Sequence, residues 1–109
     1  MKRPFAVIRS RGPAWNNAVP LDDQVEWTAH AAFMNGLAEE GLVLAAGPLA
    51  GTESARIRVL LIADANNEAE ITQRLANDPW EQTNRITTTN VEPWTLFVGA
   101  LPAAINPPA

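Results

Sequence analysis

The chain reads as a small α+β protein with a ferredoxin-like βαββαβ order of elements, an antiparallel sheet carrying two helices on one face. Three observations predict this. The 109 residues match the size of one domain, and a hydrophobic share of 47% is enough for a single core. Two segments carry helix start and stop signals. Four short β-rich runs, bounded by Gly and Pro breakers, flank them in the right order. We take residues 1–100 as the domain and 101–109, with three prolines and no charge, as a Pro-rich tail. A sheet covered on one face leaves the other bare, so a homodimer through the sheet face is expected.

The first run, Phe5-Ala-Val-Ile-Arg9, is a strand closed by Gly12-Pro13. A long loop follows to about Leu21 and holds Trp15. The spacing then predicts a helix from Asp22 or Asp23 to Glu40. Asp23 would be its cap, Glu26 would complete a capping box, and Gly41 would end it. Val25, Ala29, Ala32, Phe33, Gly36 and Leu37 form its apolar stripe, which puts His30 at the border of the buried face. Leu42–Ala46 is a second strand, Gly51–Ser54 a hairpin turn, and Arg56–Ala63 a third strand apolar enough to be central. Asn67, with Glu70 behind it, opens a second helix that must stop by Asn77 because Pro79 follows. Ile86–Thr89 leads into the last strand, expected at Trp94–Val98.

Composition removes several functions. The net charge is −4 and the arginines are scattered among acids, which suits neither nucleic acid nor an anionic membrane. Cysteine is absent, so disulfides, thiolate catalysis and cysteine metal sites are excluded. A single histidine rules out multi-histidine metal sites, and no apolar run reaches the ~20 residues of a membrane span. Met1-Lys2-Arg3-Pro4-Phe5 leads straight into a strand rather than a signal peptide, so a cytoplasmic location is expected.

The residues with chemistry are then few. His30 is the only imidazole, able to act as acid or base near neutral pH or to sit half-buried with a backbone partner. Asp78 follows the second helix, where an acid opposes the helix dipole. A partner such as His30 would explain it, and so would ordinary Asp-Pro turn chemistry. Trp15, Trp27, Trp80 and Trp94 fall in loops or at element borders, where indoles line ligand pockets or pack under loops.

In succession, Gly12-Pro13-Ala14-Trp15, Gln24 to Trp27 leading to His30, Phe33-Met34, Leu37, Gly41, Gly47-Pro48-Leu49, Asp78-Pro79-Trp80 and Pro93-Trp94 resemble the YciI-like (YCII-related) family of small bacterial proteins. The resemblance implies a ferredoxin-like fold that dimerises into an α+β barrel. It also implies an active-site His-Asp pair, which falls on His30 and Asp78. Met34, in a matching segment, joins Trp15, Trp27, Trp80 and Trp94 as expected substrate-binding residues. The expected activity is acid-base chemistry on a small organic molecule without cofactor or metal: isomerisation, or an elimination of the dehydrochlorinase kind. The alternatives are a non-catalytic module that binds a small molecule or mediates dimer interactions, and a cofactor-independent oxygenase, the latter from fold analogy alone.

Overall fold

A computed structural model describes residues 1–50 and 57–101. The expected hairpin turn at Gly51–Ser54 and nearly all of the Pro-rich tail lie outside the described residues. The elements are β1 (Arg3–Arg11), α1 (Trp27–Glu40), β2 (Val43–Pro48), β3 (Arg58–Ala65), α2 (Glu68–Leu75), α3 (Pro79–Gln82) and β4 (Ile86–Pro93), with a 3₁₀ turn at Leu21–Asp23. The strands form one antiparallel sheet in the order β2-β3-β1-β4, which is the ferredoxin-like arrangement the element order predicted.

Alternation along the two central strands decides what the sheet covers. Phe5, Val7 and Arg9 of β1 and Leu61, Ala63 and Ala65 of β3 point to the helices and are buried. They pack with Leu37 of α1, Ile71 and Leu75 of α2, and Leu42 and Val43. A second cluster, Trp15, Ile57, Trp80 and Ile86, closes the end of the molecule near the first loop. On the opposite face, Ile8 pairs with Leu60 and Ala6 with Ile62, and all four side chains are only half-buried.

Four expectations are corrected. The first concerns the start of α1. The Asp23–Glu26 capping box does not form: the helix begins at Trp27, and Glu26 sits at its N-cap in the left-handed region (φ 66°) without a side-chain cap. The preceding chain is committed elsewhere. The buried Gln24 amide donates to the carbonyls of Asn16 and Val19 and accepts from the Asn16 N–H, tying the segment to the first loop. The buried stripe of α1 shifts accordingly. Val25 is 62% exposed, and Trp27, His30, Phe33, Met34 and Leu37 face the sheet and α3, so His30 lies within the stripe rather than at its border.

The second concerns β2, which continues through Gly47 and Pro48 instead of ending before them; at a sheet edge a proline need not donate. The third is the last strand, which is Ile86–Pro93 and not Trp94–Val98. Pro93 already lies opposite Phe5, the partner strand starts at Arg3, and after the Trp94 N–H bond to the Pro4 carbonyl (3.0 Å) no strand partner remains among the described residues. Phe97 and Val98 are left 92% and 89% exposed.

The fourth concerns Asp78: α2 stops at Leu75, before Asn77 as expected, but the acid does not oppose a helix dipole, because the Asp78-Pro79 step opens α3. Asp78 is the N-cap and Pro79 the first helical residue. The second helix fits its reading: the Asn67 side chain accepts from the Glu70 N–H, while Glu70 accepts from the Asn66 N–H. Gly12 holds the first loop against the turn after α3. Its N–H donates to the Arg85 carbonyl (2.7 Å), and a Cβ there would run into the Asn84 carbonyl.

Candidate active site

Three elements converge where β1 ends its inward face. Asp78 is brought there because its carboxylate caps α3, Oδ1 accepting the Trp80 N–H at 2.9 Å. The side chain is fully buried. His30 approaches from α1 with Nδ1 2.9 Å from Oδ1 and 2.8 Å from Oδ2. Arg9, 1% exposed, reaches up from the sheet, its Nη1 donating to Asp78 Oδ2 at 2.9 Å. Its Nη2 donates to Glu81 Oε2, also at 2.9 Å, and Thr88 Oγ1 donates to that same oxygen at 3.0 Å. Met34 Sδ lies 3.7 Å from Arg9 Nη1.

Burial pushes the Asp78 carboxyl upward, but the His30 hydrogen bond, the Arg9 guanidinium and the Trp80 N–H outweigh it and hold the acid below its ordinary range. Asp78 is therefore a carboxylate at neutral pH. A carboxylate only accepts, so Nδ1 carries the proton of the neutral imidazole and Nε2 is the basic nitrogen. The Nδ1 side is occupied by Asp78, and the His30 side chain keeps 11% exposure through which a substrate could meet Nε2.

The tryptophans set the ring plane. Trp80, wholly buried, stacks on the imidazole with centroids 3.8 Å apart and planes 7° from parallel. Its own indole is fixed by an Nε1 bond to the Val25 carbonyl (2.8 Å) and by the edge of Trp15 at 5.3 Å. Trp27 tilts against both rings, 5.9 Å from His30 and 5.7 Å from Trp80, and is half-buried. Of the expected binding residues, Trp15 and Trp80 are buried supports of His30. Met34 lies behind it against Arg9, and Trp27 is the indole with surface beside the histidine. The structure does not bring Trp94 to this cluster. It lies at the Pro4 end of β1, five residues and about 17 Å from Arg9. There it lines an open groove of ≈ 410 Å³ with Met1, Lys2, Arg3 and Leu96.

Arg9, Glu81 and Thr88 are the members that the sequence did not single out. Arg9 was visible in principle: it continues the inward alternation Phe5, Val7, where a charge needs a buried partner. Glu81 and Thr88 are joined only by the fold. Among the described residues no group of three or more His, Asp or Glu side chains is placed to hold a metal ion, and no helix is long and apolar enough to cross a membrane.

No curated protein matches the chain. Among solved structures, 5-chloro-2-hydroxyhydroquinone dehydrochlorinase (TftG) from Burkholderia phenoliruptrix AC1100, in complex with 2,5-dihydroxybenzoquinone, is similar at 26% identity and a TM-score of 0.62. The match covers 84% of this chain and 93% of that one. The family model of the YCII-related domain matches residues 15–95, a span holding α1, α3, His30 and Asp78, and the chain belongs to the YCII-related family.

Proposed function

We propose that the protein is a cofactor-free enzyme that uses His30 as general base and acid on a small organic molecule, with Asp78 orienting it. The observation that carries this reading is the placement of His30 Nδ1 at 2.8–2.9 Å from both oxygens of a buried carboxylate. Such a pair fixes the tautomer and stabilises the imidazolium that forms when Nε2 takes a proton. In an elimination, Nε2 removes a proton from the substrate, the electron pair left behind forms the new double bond, and the leaving group departs with its bonding pair. In an isomerisation the imidazolium returns the proton at another atom. Trp27 offers an apolar, aromatic surface beside the ring, and the likeness to a dehydrochlorinase that binds a dihydroxybenzoquinone makes chlorinated hydroxyhydroquinones the first substrates to try.

The test is chloride release from 5-chloro-2-hydroxyhydroquinone and its neighbours. His30→Ala is expected to lower kcat/KM by about 10²–10⁴-fold, the usual worth of a positioned acid-base group, while the protein stays folded. Turnover unaffected by His30→Ala would refute the reading. Ligand binding without turnover across such substrates would favour a non-catalytic binding module, in which the same pair serves only the fold.

We also propose that two copies pair through the bare sheet face. Ala6, Ile8, Leu60 and Ile62 give that face an apolar centre, and Arg58, Asp64, Asn90 and Glu92 a polar rim.

A further inference from the structure

We propose that Arg9 is a positioning residue that sets the proton affinity of His30 through the carboxylate they share. The inference rests on the reading of His30 as the base. Arg9 Nη1 and His30 Nδ1 both lie against Asp78 Oδ2, so the guanidinium and the imidazole are within about 6 Å of one another, close enough for like charges to disfavour each other. Arg9 is 1% exposed, so solvent screens it little.

Four charged groups surround the imidazole. From α3 come Asp78 and Glu81, from β1 Arg9, and one turn before His30 on α1 stands Glu26, whose side chain is exposed. With neutral His30, the linked group of buried Arg9 and Asp78 and half-buried Glu81 carries one net negative charge, and a proton on His30 cancels it. Without Arg9 the group would carry two, and the added negative charge would favour the imidazolium. Without Glu81, the Arg9 charge would be less compensated and His30 would release its proton more readily. Arg9 and Glu81 are thus opposed adjustments on one imidazole. The setting of Arg9 is also unusual for a residue that serves packing alone. A buried guanidinium is costly to desolvate, its Nε is buried without a hydrogen-bond partner among the described residues, and it stands where Phe5 and Val7 set an apolar alternation.

The test is the NMR titration of His30, the chain's single histidine, in wild type, Arg9→Met, Arg9→Lys and Glu81→Gln. Arg9→Met is expected to raise the midpoint by about one pH unit, while Arg9→Lys, which keeps the charge, leaves it within a few tenths. Glu81→Gln, whose amide oxygen can still accept from Arg9 and Thr88, is expected to lower it by about half a unit. If Arg9→Met does not fold, Glu81→Gln decides alone: a fall supports the inference and no fall overturns it. Midpoints that stay put, or move the same way in Arg9→Met and Glu81→Gln, also overturn it. The titration needs no substrate. Opposed shifts in a protein without turnover would keep this inference and remove the catalytic reading.

Discussion

Asp78 accepts hydrogen bonds from His30, Arg9 and Trp80 at once, and its ionisation is written into the stability of the fold. Its carboxyl titrates lower in the folded chain than in the unfolded one. The stabilisation it brings is therefore fully present above the unfolded value, about pH 4, and is lost as pH falls through the folded value. Asp78→Asn removes the charge but keeps the shape. It leaves Arg9 buried with only Glu81 as counter-ion, and is expected to cost about 3 kcal/mol at pH 7. Urea denaturation of both proteins between pH 7 and pH 2 checks this. Between about pH 4 and pH 2, where the wild-type carboxylate takes up its proton, the gap between them should narrow; a gap that widens over that range would contradict the assignment. At this scale the sequence was informative where a residue type was singular. The single histidine marks His30, whereas Asp78 reads as an acid past the end of α2 and is in fact the N-cap of α3, joined to His30 only by the fold. Composition puts Arg9 among arginines scattered between acids, whereas its meaning lies in its parity with Phe5 and Val7.

The elements were legible where local signals are strong and misplaced where a distant partner decides. Asn67, Glu70 and Gly41 are cap residues acting within one turn of chain, and they mark α2 and the end of α1 as their chemistry requires. The start of α1 is different. Gln24, Trp80 and the first loop draw residues 24–26 out of helical geometry, and no local rule contains those contacts. The alanine-rich surface of α1 also fits more than one apolar phase, so the pattern alone puts Val25 in the core and His30 at its border. The last strand was shifted for a tertiary reason too. Trp94–Val98 has the β-branched and aromatic content of a strand, but β1 offers it no length to pair with.

The molecule as a whole presents two different sheet faces. The helices cover one; the other exposes part of Ala6, Ile8, Leu60 and Ile62 across the two central strands. A charge placed at its centre should oppose pairing with a second copy, because it would be buried unpaired in the interface. Ile62→Asp is expected to convert a dimer to a monomer in sedimentation velocity, with the far-UV circular dichroism of the fold retained. A wild-type monomer at tens of micromolar would remove the dimer proposal and leave the His30 site, which is assembled within one chain, as it stands.

The central claim is that His30 and Asp78 act as one acid-base unit, and the direct measurement is the NMR titration of the single histidine in wild type and Asp78→Asn. Removing the carboxylate takes away the charge that favours the imidazolium and leaves Arg9 to oppose it. The midpoint is therefore predicted to fall by about one pH unit or more. An unchanged midpoint in a folded Asp78→Asn protein would mean that the two groups are not electrostatically joined, and would contradict the account at its base.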